Sequence, residues 1–186
     1  MQPPLFVVAS VAASNGLGTL NTVRHFYGGL AVEPATGRGL LGFRWSRTQD
    51  EASGMEVTRT YLQPHPYTGL VEKVEQRLRN AGEGVLLART TSTYQQTPGS
   101  AANTVFVHAN QVVEEGWDLL GTPFPTTTTS YVYGQTPQYG DPTRISVSTS
   151  DGSTKVVVNE YHAAATASGA WVLGRLKRAT VQSTKP

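Results

Sequence analysis

The chain has 186 residues, with 15 Lys plus Arg against 13 Asp plus Glu, four His, 19 Gly, 11 Pro and no Cys. That length is enough for one domain or two small ones. The lack of Cys excludes disulfide staples, thiolate zinc sites and cysteine nucleophiles, and a net charge of +2 is too small to advertise nucleic acid.

From the N-terminus, Gln2 to Val23 carry no formal charge, and Leu5 to Ala13 are mostly apolar. Met1 to Pro4 supply no basic stretch of the kind a secretory signal needs. Val7, Val8 and Val11, followed by Ser14-Asn15-Gly16, therefore read as a strand and a turn. A first hairpin is predicted at about 5–27, and strands follow near 40–49, 54–62, 69–79, 84–94, 104–115 and 126–134. A second hairpin is predicted at 143–162 and a last strand near 170–181. The signal is period-two alternation with β-branched residues: Met55, Val57 and Tyr61 against Glu56, Thr58 and Thr60, or Val105, Val107 and Ala109 against Phe106 and His108. Asn15-Gly16 and Asp151-Gly152 suit type I′ turns, with Gly16 and Gly152 at positive φ on the hairpin tips. Residues 69–81 also fit a helical stripe through Leu70, Val74 and Leu78. Gly69 and Gly82-Glu83-Gly84 resemble hairpin punctuation and favour a strand. The two Gly-turn hairpins echo each other weakly, as successive hairpins of one continuing sheet would. The fold class read from this pattern is all-β, built of antiparallel hairpins.

The uncharged stretch Leu119 to Gly140 contains three Pro and a run of Thr, so it cannot satisfy its backbone as a membrane helix. Gly37-Arg-Gly-Leu-Leu-Gly42 matches the G-x-G-x-x-G dinucleotide fingerprint. The residues after it read as a strand, so no helix N-terminus awaits a pyrophosphate. A Gly-rich turn entering a strand is the better reading, and no nucleotide is expected there. His25, His65, His108 and His162 have no metal-ligand spacing. Asp50, Glu51, Glu114, Glu115, Asp141 and Asp151 could supply a glycosidase pair, but Asp151 and Asp141 are explained by turns and Glu114-Glu115 by a solvated strand end. No Ser lies in a G-x-S-x-G elbow. No catalytic, cofactor-binding or metal residue is assigned, and no cofactor. Arg175, Lys177, Arg178 and Lys185 read as edge-strand cations. Tyr131, Tyr133 and Tyr139 read as cross-strand pairs rather than a sugar platform. Phe43 and Trp171, each close to a Gly, are expected to be buried wedges between sheet layers.

Tyr27-Gly-Gly-Leu-Ala-Val-Glu-Pro-Ala-Thr-Gly37-Arg-Gly-Leu-Leu-Gly-Phe43 resembles the "Y-x-G … G-R-G-x-L-G-F" segment of the insecticidal toxin-complex B components (TcdB-type) and the related SpvB/RHS (YD-repeat) shell proteins. The context agrees in order: Ser14-Asn-Gly-Leu-Gly18, Asp50 to Gly54 with Met55 to Tyr61, Gly84-Val-Leu-Leu-Ala-Arg-Thr90, Tyr139-Gly-Asp-Pro-Thr-Arg144 and Trp171-Val-Leu-Gly-Arg-Leu176. Pro64-His65-Pro66 departs from the family's Phe-Pro. The resemblance implies a fragment of the β-strip wall of a shell, with residues 1–122 like the B component's middle region and 123–186 leading into YD/RHS-type repeats. It implies a non-catalytic structural module, not an enzyme, of a secreted virulence toxin whose shell encloses a toxic C-terminal polypeptide. The partners would be neighbouring segments of a larger shell protein and that polypeptide, with no nucleic acid and no membrane insertion. The rival reading is a secreted β-sandwich that binds carbohydrate or a cell surface through Tyr131, Tyr133 and Trp171.

Overall fold

The computed structural model describes residues 5–79, 84–98, 104–134, 140–165 and 171–186. All regular structure in them is strand. In chain order these are β1 (Ser10–Ser14), β2 (Leu20–Gly28), β3 (Ala31–Glu33), β4 (Gly39–Gly42), β5 (Trp45–Asp50), β6 (Met55–Tyr61) and β7 (Val71–Leu78). Then come β8 (Val85–Pro98), β9 (Val105–Gly116), β10 (Thr127–Val132), β11 (Arg144–Thr149), β12 (Thr154–Tyr161) and β13 (Leu176–Thr184). Eleven of them form one sheet, in the order β1-β2-β5-β6-β7-β8-β9-β10-β11-β12-β13, and β3 with β4 forms a separate ribbon. Every neighbour in the large sheet is the next strand in the chain, apart from the step from β2 to β5 over that ribbon. The all-β class is as the alternation predicts, and residues 71–78 are strand, as the flanking glycines favoured.

The chain divides into two compact units, Met1–Thr90 with Gly116–Pro123, and Thr91–Glu115 with Phe124–Pro186. In the first, the register across β2, β5, β6 and β7 sorts side chains onto two faces. One face carries Arg24, Phe26, Trp45, Arg47, Gln49, Glu56, Thr58, Lys73, Glu75 and Arg77; the other carries Val23, Tyr27, Met55, Val57, Tyr61, Val74 and Leu78. On the polar face the Arg47 guanidinium lies 4.6 Å above the Phe26 ring, and its Nε is 3.8 Å from Glu56. Lys73 and Arg77 flank Glu75 at 3.2 and 3.7 Å. In the second unit, β9 to β12 put His108, Val112, Tyr131, Ile145, Val147 and Val157 on one side, and Ser130, Ser146, Ser148 and Thr154 on the other.

Neither unit closes a core. Among the described residues no apolar side chain is buried, and Gln49, next to the last residue of β5, is the single buried residue. The accessible surface is 12142 Å², whereas two separate globules of half this mass would together expose about 10,500 Å². Apart from the β3–β4 ribbon, the described strands of each unit belong to one sheet, so alternation here sorts side chains without burying them.

Several details differ from the sequence reading. The strand expected at 40–49 breaks into β4 and β5, because Gly42 takes φ +85° and the Arg44 N–H turns back to the carbonyls of Gly28 and Gly29 at 2.9 and 3.0 Å. Gly16 and Gly152 have φ +76° and +96° at their turns, as expected. The turns are not the two-residue type, however. Gly152 N–H closes on Thr149 C=O at 3.0 Å, which makes Ser150 and Asp151 the central pair and leaves Gly152 in the fourth position. The Asn15 loop is wider still, with the Asn15 N–H bonded to Thr19 C=O at 3.1 Å and the Asn15 Oδ1 accepting from Leu17 N–H at 2.8 Å.

The last strand begins at Leu176, later than expected, because Gly174 takes φ +64° and Val172 bridges back to Ala165. Trp171 is 72% exposed and is no wedge. The space beside Gly174 is occupied instead by the Asp141 carboxylate, 3.1 Å from where a Cβ would stand. Phe43 is half-buried against Tyr27, with ring centroids 5.1 Å apart. Met1 to Pro4, Gly82-Glu83, Tyr139 and Ala170 lie outside the described residues.

Three carboxylates hold turns. Asp50 accepts from Ala52 N–H at 2.9 Å, Asp118 from Leu120 and Thr122 N–H at 2.8 Å each, and Asp151 from Ser153 N–H at 3.0 Å and from the Thr149 hydroxyl. Each is held below the usual Asp value by those bonds. For Asp50 the Ser53 hydroxyl is the largest cause, for Asp118 the Thr122 N–H, and for Asp151 the Thr149 hydroxyl. The folded carboxyls thus release their protons below the unfolded value of about 3.9. Their contribution is complete above that pH and is lost as the pH falls through the folded values. In an acid titration followed by amide NMR, the Leu120, Thr122 and Ser153 N–H signals should shift last, below the pH at which signals beside ordinary carboxylates respond. Shifts centred at or above the unfolded Asp value would refute this.

Candidate functional site

The most elaborated place in the first unit is a cleft beside the β3–β4 ribbon, made by two bulges. In the ribbon, Ala31 pairs with Gly42 and Val32 with Leu40, so Leu41 is the extra residue and is re-aimed out of the ladder. Between β6 and β7, Tyr61 pairs with Val71 and Thr60 with Lys73, so Glu72 is extra on β7. The Glu72 carboxylate meets the Arg44 guanidinium at 2.6 Å, with the side chains 37% and 41% exposed. Arg44 also donates to Tyr61 C=O. Gln63 Nε2 donates to Gly29 C=O at 2.6 Å and Gly42 C=O at 2.9 Å, pinning the ribbon's two ends. Gly28 makes room for the Trp45 indole, and Gly29, at φ +66°, for the Arg44 Cβ.

Leu41 divides the cleft into two hollows. One, of about 300 Å³, is lined by Tyr27, Phe43, Ser46 and Tyr61, with the Ser46 and Tyr61 hydroxyls 3.0 Å apart. The other, of about 450 Å³, is lined by Ala31, Arg44, Leu62, Gln63 and Pro64. Of Gly37-Arg-Gly-Leu-Leu-Gly42, the first two residues lie between β3 and β4 and Gly39–Gly42 is β4 itself, a Gly-rich turn running into a strand. The departing Pro64-His65-Pro66 segment forms the rim, with a cis His65–Pro66 bond.

The other singled-out residues do not converge here. Asp50 and Asp151 are turn anchors, and His65 and His162 are exposed. Among the described residues no three His, Asp or Glu side chains gather as metal ligands would. His108 stacks on Phe106 at 5.0 Å and tilts against Tyr133 at 4.4 Å, with both ring nitrogens shielded and unpartnered. Desolvation in that cluster, with Tyr131 adding to it, pushes the Tyr133 hydroxyl's pKa up. Tyr133 is thus a packing residue. Arg178 pairs with Glu160 across β12 and β13. No helix of the described residues is long and apolar enough to cross a membrane.

What the fold defines is an all-β chain, a large antiparallel meander with a small separate ribbon, in which no apolar side chain of the described residues is buried. No protein-family model matches the chain, and no curated protein matches its sequence. Among solved structures, the crystal structure of TcdB2-TccC3 is similar to it, with a TM-score of 0.56 and 11% identity, over 88% of this chain and 12% of that chain. The likeness is one of fold, and this chain spans about an eighth of the length of its counterpart.

Proposed function

We propose that the chain is a non-catalytic structural module of a toxin-complex or RHS-type shell, a strip of the wall around a toxic C-terminal polypeptide. The observation that carries this reading is an eleven-stranded meander in which no apolar side chain of the described residues is buried. A stand-alone binding domain needs a core to offset its conformational entropy. A strip of wall obtains its burial from the segments beside it. The fold likeness to part of TcdB2-TccC3 supports the same reading, as does the length of β13, nine exposed residues with one edge unpaired among the described strands. Such an edge suits continuation of the sheet. In this role the partners are neighbouring segments of a larger secreted protein and its enclosed polypeptide, and no residue of the chain performs catalysis.

The reading frame around this chain tests it. A frame that continues into YD repeats and a C-terminal polypeptide protected from added protease is the expected result. A frame without such repeats, or a C-terminal polypeptide as sensitive as when free, would overturn the proposal. The carbohydrate reading loses Tyr133 to its packing cluster, and the described strands give no second large sheet to make a sandwich.

A further inference from the structure

The last strand presents a cluster of cations on the free edge of the second unit. Arg175, Lys177 and Arg178 are the fourth, second and first residues before the Arg178–Ala179 bond. Lys177-Arg178 is the only pair of adjacent Lys or Arg in the sequence, and no Asp or Glu follows Glu160. Every residue from 171 to 186 is exposed. Among the described strands, β13 has a neighbour on one side only. An extended segment with a free edge is the form in which a protein cleft takes a peptide as an added strand. In an endoprotease of basic specificity, an acidic pocket then selects the residue before the cut. The cations of β13 and its approach meet that requirement at three positions.

The sheet holds this bond, but weakly. Asn159 N–H is bonded to Thr143 C=O, on the far side of β12. At the Asn159–Ala179 pair the backbone groups of Ala179 therefore face outward, and those of Arg178 face β12. The Arg178 carbonyl is reached only when β13 lifts from β12. Three features make that opening cheap. Glu160 pairs with Arg178 and Tyr161 with Leu176, which leaves Lys177 as the extra residue of a bulge. No residue of β13 is buried, so lifting it exposes no core. The Arg178–Glu160 ion pair has side chains 66% and 42% exposed and is weak for that reason. Segments with so few packed contacts open most readily.

We propose that Arg178–Ala179 is a processing site for a serine endoprotease that recognises paired basic residues. The protease's seryl oxygen attacks the Arg178 carbonyl, the Ala179 amine leaves with a proton, and water then frees the Arg178 carboxylate. The cut peptide, Ala179–Pro186, keeps only ladder bonds to β12. These are too few to offset the freedom it gains on leaving, and it departs. Its loss opens the β12 edge along Val156, Val157 and Val158, a β-branched run suited to pairing with another strand. Such a site is independent of whether the chain is a strip of wall.

Digestion of the full chain by a kexin-type endoprotease, followed by mass spectrometry, tests this. The native chain should yield Met1–Arg178 and Ala179–Pro186 before any other product, and gel filtration should separate the two. Arg178→Gln should abolish the cut. Ala179→Pro should abolish it while keeping every cation, and the proline costs no ladder bond because the Ala179 N–H faces outward. Arg175→Gln should slow cutting at the same bond. Glu160→Gln should speed it about two- to fivefold, because cutting from a briefly opened edge follows the open population and the ion pair holds that edge closed. Circular dichroism like the parent's confirms that each variant is folded. A native chain that resists while a synthetic peptide of residues 171–186 is cut would overturn the proposal, and so would a peptide that is itself left whole. First cutting at any other bond would overturn it too. Retention of Ala179–Pro186 on the cut chain would overturn the opening of the β12 edge.

Discussion

Gly28→Val should cost the first unit about 1–3 kcal/mol, the range for forcing extra atoms into a packed position, and is expected near the top of it. Gly28 ends β2 opposite Trp45, and a Cβ there would fall within the Trp45 indole. The indole is rigid and lies 5.9 Å from the Arg47 guanidinium, so it cannot swing aside as a flexible chain end would. Gly16→Val is the control. Gly16 has φ +76° with nothing within 4 Å of its Cβ position, so valine there meets backbone strain alone, about 1–2 kcal/mol. Urea midpoints for the two variants should rank Gly28→Val as the more damaging, with its tryptophan emission shifted to the red as Trp45 is displaced. Equal midpoints and an unchanged emission would mean that Trp45 does not need the bare backbone of Gly28. Since stability of domains is of order 5–15 kcal/mol in total, the loss would be a visible fraction.

The strands were legible because alternation is a local property: Met55 to Tyr61 and Thr154 to Tyr161 state their period within seven or eight residues. What alternation cannot state is where it fails. Leu41 and Glu72 are each one residue out of register, and they make the cleft. Glu72 shares parity with Val74 and Gln76 and so reads as an ordinary strand position; its re-aiming toward Arg44 depends on a partner twenty-eight residues away. The ribbon β3–β4 is not legible either, because Ala31–Glu33 is only three residues long, too short for alternation to register. The wedge role expected of Trp171 failed for a different reason. A large aromatic beside glycine indicates close packing only where a second layer exists, and the number of layers is a property of the assembled sheet. For the same reason the Asp-Gly and Asn-Gly pairs located their turns correctly while misjudging loop length, which the anchoring side chains Asn15 and Asp151 decide.

Arg44→Met should be the most damaging side-chain change at the cleft, and its coupling to Glu72 should account for the smaller part of the loss. Two interactions end on the guanidinium, one to the Tyr61 carbonyl and one to the Glu72 carboxylate. The ion pair is roughly two-fifths exposed on both sides, and solvent screening reduces such a pair to about 0.2–1 kcal/mol. The carbonyl bond is charge-assisted and sits where the chain leaves β6. Hydrogen bonds to charged groups are worth about 1.5–3 kcal/mol, and Met keeps the aliphatic stem while removing the donor. The backbone N–H of Arg44, bonded to Gly28 and Gly29, is untouched by the substitution. A double-mutant cycle with Glu72→Gln should therefore give a coupling of about 0.5 kcal/mol, with Arg44→Met costing at least twice as much as Glu72→Gln. Raising the salt concentration should shrink the coupling and leave most of the Arg44→Met loss in place, because a salt-screened surface pair and a carbonyl bond respond differently to ionic strength. If Glu72→Gln alone reproduced the full loss, the ion pair would be what holds the cleft, and the Tyr61 carbonyl would be incidental to it.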